Sequence, residues 1–183
     1  DGQDITRLSA YGIAARGLAR TFQNINLFDS MTVLDNVKVG QHSSTRSGVV
    51  DAMVRSARYR QEEKDIASKA RELVEFVGLT KVSGELAKNL PYGEQKRLEI
   101  ARSLAANPKM LLLDEPTAGL NPSEKAMVAD LIKAVHARGI TIVLIEHDMR
   151  VVIGISRRII VLDHGEKIAS GSPQEVKTDI RVI

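Results

Sequence analysis

The chain has 183 residues, with 26 Lys and Arg against 23 Asp and Glu, a net charge of +3, and no Cys or Trp. This length allows a buried core, and 43% hydrophobic with 27% charged residues excludes an intrinsically disordered chain. Without cysteine there is no disulfide framework, thiolate nucleophile or zinc ribbon.

The small positive charge does not indicate a nucleic-acid partner. The most basic stretch, residues 55–64, already contains Glu62 and Glu63, and 3% aromatic residues leave little surface to stack on bases. No apolar run approaches the roughly 20 residues that a membrane-spanning helix needs. We therefore expect a globular chain that does not bind nucleic acid.

The first part of the chain predicts helices and one extended segment. A short helix is expected at residues 11–16, before an extended run at 18–23. Thr32 is placed to cap the next helix, with Asp35 where a capping box usually has glutamate. The remaining helices of this part are expected at 60–77, from its one-sided apolar residues, and at 94–106.

After residue 107 short apolar strands alternate with helices. The expected elements are a buried strand at 109–115, a helix at 122–139 with Val128, Leu131, Ile132 and Val135 on its buried face, a second buried strand at 139–148, a helix at 149–155, a third strand at 157–165, a fourth at 166–171 and a last helical turn. Continuously apolar strands between helices predict a parallel sheet covered on both faces. The functional groups of such a sheet gather at the carboxyl ends of its strands.

Two of these strands lead into acidic residues and a histidine. The first ends in Asp114 and Glu115, and the second in Glu146, His147 and Asp148. A carboxylate at this edge can hold Mg²⁺, which takes oxygen ligands, and a neighbouring glutamate can accept a proton from an attacking water. The same residues could instead cap turns and helices, so both interpretations stay open.

The run NLPYGEQ, directly before a helix, is a second candidate. Its Gly93 lets the backbone approach a ligand closely, and the start of the helix offers N–H groups to an anion. Many helices begin after a turn of this kind, so the run does not establish a site by itself.

Four runs together resemble the motifs of ABC-transporter ATPases. In chain order they are RTFQN, LPYGEQKRLEIARSLA, MLLLDEPTAGLNP and IVLIEHD, similar to the glutamine loop, the signature motif, Walker B with its D-loop, and the switch histidine. Flanking phrases such as EHDMRVVIGISRRIIVLDHGEKIASGSP resemble an ATP-binding subunit of branched-chain amino acid importers. The resemblance implies an α/β fold of the P-loop NTPase type, with a mainly parallel sheet flanked by helices and an inserted helical subdomain.

The resemblance also implies a division of the chain. Residues 1–23 would be a remnant of the amino-terminal part of the ATPase core, 24–107 the helical subdomain with the signature motif, and 108–183 the RecA-like α/β core. No G-x-x-x-x-G-K-[ST] run, whose lysine and hydroxyl contact the phosphates and Mg²⁺, occurs in the sequence. With the Asp1-Gly2 start, this predicts a chain truncated at its amino terminus that hydrolyses ATP negligibly by itself.

Matched position by position, the resemblance assigns roles to named residues. Glu115 would polarise the hydrolytic water, and His147 would contact the γ-phosphate. Asp114 would hold Mg²⁺, and Gln23 would sense both the metal and the nucleotide. The residues expected at an ATPase–ATPase interface are the signature residues Leu90, Tyr92, Gly93, Glu94 and Gln95, which would contact ATP bound by the partner, and the D-loop residues Gly119, Leu120 and Asn121.

Two of these positions differ from the usual pattern of the motifs. Pro91-Tyr92-Gly93 stands where the signature has Ser-Gly-Gly, so contacts there would come from backbone N–H groups, of which Pro91 has none. Asn121 replaces the usual aspartate of the D-loop, so this position carries no charge.

The function implied is that of an ATP- and Mg²⁺-dependent subunit that energises an importer, with branched-chain amino acids as the favoured cargo. Its partners would be transmembrane permease subunits, a second ATPase subunit and, indirectly, an extracytoplasmic solute-binding protein. It would lie at the cytoplasmic face of the plasma membrane. The alternatives are another cargo (urea, short amides or exported lipopolysaccharide), a soluble ABC-type ATPase acting on nucleic acid or ribosomes, and a docking module without activity.

Overall fold

The computed structural model describes residues 2, 4–41 and 57–182. The helices are α1 (Ala10–Ala15), α2 (Val33–Gly40), α3 (Ala57–Phe76), α4 (Tyr92–Ala105), α5 (Pro122–Ala137), α6 (Met149–Ile155) and α7 (Pro173–Thr178). The strands are β1 (Leu18–Arg20), β2 (Met110–Asp114), β3 (Thr141–Ile145), β4 (Ile159–Asp163) and β5 (Glu166–Gly171), and short 3₁₀ turns lie at Thr80–Val82 and Ala87–Asn89.

Strands β1, β2 and β3 form a parallel sheet with β2 in the centre. Leu111 and Leu113 of β2 are fully buried, as its apolar sequence predicts. The register places Asp114 opposite Ile145 of β3. Because the three strands run in one direction, their carboxyl ends lie at one edge, and the predicted parallel sheet flanked by helices is confirmed.

Strands β4 and β5 do not extend this sheet. They pair with each other as an antiparallel hairpin, with Ile159 opposite Gly171. The two turn residues, His164 and Gly165, both have positive φ, 46° and 83°, as a tight two-residue hairpin turn requires. A connection of two residues is too short for a parallel crossover, so the third and fourth expected strands pair antiparallel. Among the described residues they form a sheet of their own.

Strand β3 is less buried than predicted. Ile142 and Leu144 pack partly against the core, whereas Val143 and Ile145 on the other face are 43% and 55% exposed. The prediction of a second fully buried strand is therefore wrong, because within the described residues only one face of β3 is covered.

One hydrophobic core joins the helices to the sheet. It contains Val33 and Val37 of α2, Leu98 of α4 and Leu111 of β2. The predicted buried face of α5 also lies in it, namely Val128, Leu131, Ile132 and Val135. A smaller cluster joins the β4–β5 hairpin to α6 and α7. The larger core crosses residue 107, and the division of the chain at residues 23 and 107 stays a prediction.

Helix ends follow the sequence signals closely, with two differences, at α2 and at α4. Thr32 caps α2 by accepting a hydrogen bond from the Asp35 N–H at 3.1 Å. The Asp35 carboxylate, however, accepts from the Thr32 hydroxyl at 2.7 Å and is not bonded to the Thr32 backbone. Aspartate is one methylene shorter than the glutamate of a capping box, so only half of the box forms. Helix α4 begins at Tyr92, two residues before the predicted start.

Candidate functional site

The carboxyl ends of the three parallel strands bring four predicted residues together. Gln23 follows β1, Asp114 ends β2, Glu115 comes next, and His147 follows β3. The Gln23 Nε2 donates to Glu115 Oε2 at 3.2 Å, and the His147 Nδ1 lies 3.5 Å from Glu115 Oε1. Glu115 is therefore the centre of the group, with an amide at one carboxylate oxygen and an imidazole at the other.

Glu115 has an unusual backbone conformation. Its φ is 45°, in the left-handed region that residues other than glycine rarely adopt. Its N–H donates to the Ile145 carbonyl at 2.9 Å, which continues the pairing between β2 and β3 by one residue. A conformation of this kind costs about 1–3 kcal/mol and is typical of functional positions. The side chain is 27% exposed, so water can reach it.

Asp114 is paired with an arginine that the sequence analysis did not identify. Its Oδ2 accepts from Arg20 Nη2 at 3.0 Å, and its backbone N–H donates to the Thr21 hydroxyl at 3.3 Å. Arg20 is the last residue of β1, and its pairing with β2 brings it near the end of that strand. The signal in the sequence is the parallel register, which cannot be fixed before the strands are paired.

The oxygen ligands at this edge are few. Among residues 2, 4–41 and 57–182, no group of three or more His, Cys, Asp and Glu side chains could hold a metal ion. The candidates are the Asp114 carboxylate and the amide oxygen of Gln23, whose amide nitrogen is bonded to Glu115. Mg²⁺ is usually held by one or two carboxylates together with water and substrate phosphates. These residues therefore fit a Mg²⁺ ion that arrives with a nucleotide, and not a site that holds metal alone.

Glu146 is a buried carboxylate that joins two loops of the site. Its side chain is 1% exposed. It accepts from the Thr117 N–H at 3.0 Å and from the Thr117 hydroxyl. It also accepts from the N–H groups of His147 and Asp148, at 3.1 and 3.4 Å. Glu146 was predicted to be one of the acidic residues of the edge, and its burial shows that it shapes this edge from inside.

Asp148 has the capping role that the sequence analysis left open. Its Oδ1 accepts from the Arg150 N–H at 3.1 Å at the start of α6. Its Oδ2 accepts from Lys125 Nζ at 2.7 Å, and this hydrogen bond is the main cause that lowers the pKa of Asp148 to about 2. One oxygen of Asp148 thus caps α6, and the other forms an ion pair with Lys125.

The predicted signature residues form the first turn of α4 and the turn before it. Leu90 is buried in the core, as is Leu120 of the D-loop. Gln95 Nε2 donates to the Leu90 carbonyl at 2.9 Å, and Glu94 lies 3.5 Å from Arg97. The polar side chains of this turn are therefore bonded within the turn and its helix.

The signature turn packs against the D-loop of the same chain. Gly119 has a φ of 75°, and a Cβ added there would lie 3.1 Å from the Tyr92 ring. A Cβ on Gly93 would lie 2.8 Å from a carboxylate oxygen of Glu124. Asn121 caps α5 and forms a capping box with Glu124. A larger residue at either glycine would require the facing side chain, Tyr92 or Glu124, to shift, and at Gly119 it would also have to adopt a positive φ.

Comparison with known proteins bears on the family and the fold of the chain. Residues 1–118 match the ABC transporter family. This chain belongs to the ABC transporter family. LivG of Salmonella typhimurium, a high-affinity branched-chain amino acid transport ATP-binding protein, is 41% identical to this family member over 172 residues, which cover 93% of this chain and 68% of LivG.

Two solved structures of ATP-binding cassettes have the same fold as this ABC transporter chain. The ADP conformation of MJ1267, an ATP-binding cassette of an ABC transporter, is 30% identical, with a TM-score of 0.80, covering 98% of this chain and 72% of that chain. A dimeric post-hydrolysis state of the cassette MJ0796, bound to ADP and Pi, is 27% identical, with a TM-score of 0.70, covering 87% and 64%.

The family, the fold and the ABC-type ATPase class that the four motifs implied are therefore confirmed. For this ABC transporter chain, the roles given to single residues stay predictions. No helix among the described residues combines the length and the apolar character needed to cross a bilayer.

Proposed function

We propose that this chain contributes the ATP-hydrolysing residues of an importer for branched-chain amino acids. The observation that carries the proposal is the grouping of Gln23 and His147 on the two carboxylate oxygens of Glu115, next to Asp114. The cargo is inferred from the 41% identity to LivG, a branched-chain amino acid transport ATP-binding protein.

Glu115 is the group that accepts a proton from the attacking water. Gln23 and His147 contact its two oxygens, so they fix the plane of the carboxylate while leaving it open to solvent. A positioned general base contributes about 10²–10⁴ in rate. His147 is 73% exposed on its side chain, so it can also reach a phosphate of a bound nucleotide.

Asp114 and Gln23 are the residues that would hold Mg²⁺. When it is bound with ATP, this cation neutralises the charge of the phosphates. Arg20 balances the charge of Asp114 in the present structure. Asp114 would therefore supply a carboxylate oxygen to Mg²⁺ beside, or in place of, its ion pair with Arg20.

The signature turn and the D-loop are proposed to face a second ATPase subunit. Tyr92 and Gly93 of the turn lie next to Gly119 and the start of α5, so one surface carries both motifs. The cassette MJ0796, with the same fold, is a dimer in its ADP- and Pi-bound state. We further propose transmembrane permease subunits as partners at the cytoplasmic face of the membrane, with a solute-binding protein acting on the permease.

A chimera tests the function. The 183 residues replace the matching region of LivG, and ATP binding, ATP hydrolysis and leucine uptake are measured in cells and membranes that lack LivG. We expect the chimera to hydrolyse ATP and to restore leucine uptake. An active ATPase that leaves leucine uptake at the level of cells without LivG would contradict the proposed cargo.

Glu115→Gln in this chimera tests the general base. It should leave ATP binding intact and lower turnover about 10²–10⁴-fold, because the amide cannot accept the proton. The matched control is Asp130→Asn, which removes a carboxylate that is 75% exposed on α5, and it should leave turnover unchanged. Turnover of Glu115→Gln at the rate of the control would show that Glu115 is not the base.

A further inference from the structure

Helix α4 carries two buried charged residues for which the sequence predicted no role. Lys96 and Glu99 are each 2% exposed, and both follow the signature turn on the same helix. Charged side chains are rarely buried unless hydrogen bonds or an opposite charge compensate the lost hydration. Their spacing of three residues places them on one face of α4.

The compensating partners are backbone groups of the loop that carries Gln23. Glu99 Oε1 accepts from the Phe22 N–H at 3.3 Å, and the carboxylate also bonds the Asn26 backbone. Lys96 Nζ donates to the Gln23 carbonyl at 3.2 Å. Burial raises the pKa of the Glu99 carboxyl, while the bonds to the loop and the charge of Lys96 oppose this effect. Three backbone groups of residues 22–26 are thus hydrogen-bonded to side chains of α4.

The loop changes its partners within a single residue. The Thr21 N–H still donates to the Leu112 carbonyl of β2 at 2.9 Å, as a strand residue does. The next N–H, that of Phe22, donates to Glu99. Farther along, the fully buried Asn36 of α2 bonds both the N–H and the carbonyl of Phe28. From Phe22 onwards, therefore, side chains of two helices bond the loop backbone.

We propose that Lys96 and Glu99 are positioning residues that hold the Gln23 backbone so that its amide reaches Glu115. The pair attaches this loop to the same helix that begins with the signature turn. The proposal rests on the proposed function only for the role of Gln23 and Glu115. An apolar pair of equal size would fill the same space but would leave the loop backbone without these partners.

Hydrogen exchange of the 183-residue chain, resolved by residue with NMR, tests the attachment. Glu99→Met keeps the size of the side chain and removes the acceptor, so the Phe22 and Asn26 amides should exchange at least about ten-fold faster. Glu99→Gln keeps an acceptor oxygen and should restore most of the protection. The matched control is Leu98→Ala, which truncates a fully buried neighbour on α4 that belongs to the core. In Leu98→Ala the exchange of the Phe22 and Asn26 amides should accelerate no more than that of the other amides of the chain.

The side-chain amide signals of Gln23 test the positioning. Introducing Glu115→Gln into the otherwise wild-type chain should change the chemical shifts of these signals. The same substitution in a chain that already carries Lys96→Met should leave them unchanged, because Gln23 then no longer lies against Glu115. If the Phe22 amide exchanged equally fast, relative to the other amides of the same variant, in Glu99→Met and in Leu98→Ala, the attachment would be overturned. An unchanged Gln23 response in Lys96→Met would overturn the positioning. An inactive wild-type chimera would contradict the proposed function alone, because both measurements are made without ATP.

Discussion

Truncation of Glu146 should strongly destabilise the chain. The Glu146 carboxylate, 1% exposed, accepts both donors of Thr117, a residue that is itself 1% exposed. A buried donor left without an acceptor costs about 1–3 kcal/mol, so two such donors cost about 2–6 kcal/mol. The N–H groups of His147 and Asp148 lie nearer the surface, where water can replace the lost acceptor. We expect Glu146→Ala to lower the free energy of unfolding by about 3 kcal/mol, because water can also enter part of the vacated space.

Urea unfolding followed by far-ultraviolet circular dichroism measures this loss, since the chain has no Trp to report by fluorescence. A lower midpoint with an unchanged slope identifies a change in stability. Glu146→Gln keeps one acceptor oxygen and should lose about 1–2 kcal/mol. The exposed pair of Asp130 and Lys133 provides the control, and Asp130→Asn should stay within about 0.5 kcal/mol of the wild type. A loss in Glu146→Ala no larger than that of the control would refute the role of Glu146 in joining the two loops.

Two further predictions concern packing and pH. Gly40→Ala should lower the free energy of unfolding by about 2–3 kcal/mol, because its Cβ would lie 2.3 Å from a backbone carbonyl of α4. Gly154→Ala on α6, where an added Cβ would have no neighbouring group within 4 Å, should raise the free energy of unfolding by about 0.4–1 kcal/mol. If both variants changed the thermal unfolding temperature in the same direction, this account of the packing would be wrong. The pKa of Asp148 is lowered from 3.8 to about 2, mainly by the hydrogen bond from Lys125. The ion pair with Lys125 therefore stabilises the fold above the ordinary pKa of an aspartate, and this stabilisation is lost as the pH falls through the lowered pKa. Asp148→Asn keeps the helix cap, so its urea midpoint should approach that of the wild type between about pH 4 and pH 2, whereas a constant difference would exclude the ion pair as the cause.

The parallel sheet and the edge that carries the candidate site were predictable because the signals are local. Apolar runs that end in Asp114 and in Glu146 are visible in the sequence, and parallel strands must end at one edge. The antiparallel hairpin of β4 and β5 could also have been predicted from the sequence. Two residues, His164 and Gly165, separate the two strands, and this spacing permits only antiparallel pairing.

The contacts that shape the site were not predictable in the same way. Arg20 meets Asp114 across 94 residues of sequence, and Phe22 meets Glu99 across 77. Such contacts depend on strand register and on how helices pack on the sheet, which no single window of sequence contains. The exposure of Val143 could not be predicted for the same reason. Its apolar side chain is visible in the sequence, but burying that side chain requires another element to pack on it.

Glu99 and Glu146 show why carboxylates bond the segments that surround the site. Each accepts backbone N–H groups from a segment that carries a candidate catalytic residue, Gln23 or His147. Such segments turn too sharply for regular strand pairing, whereas one carboxylate has lone pairs for about four donors. Methionine or leucine at either position would fill the volume and leave those donors unpaired. Hydrogen-bonding capacity, more than size or charge, is therefore the requirement at both positions, and glutamine should be tolerated at each better than any apolar residue of the same length.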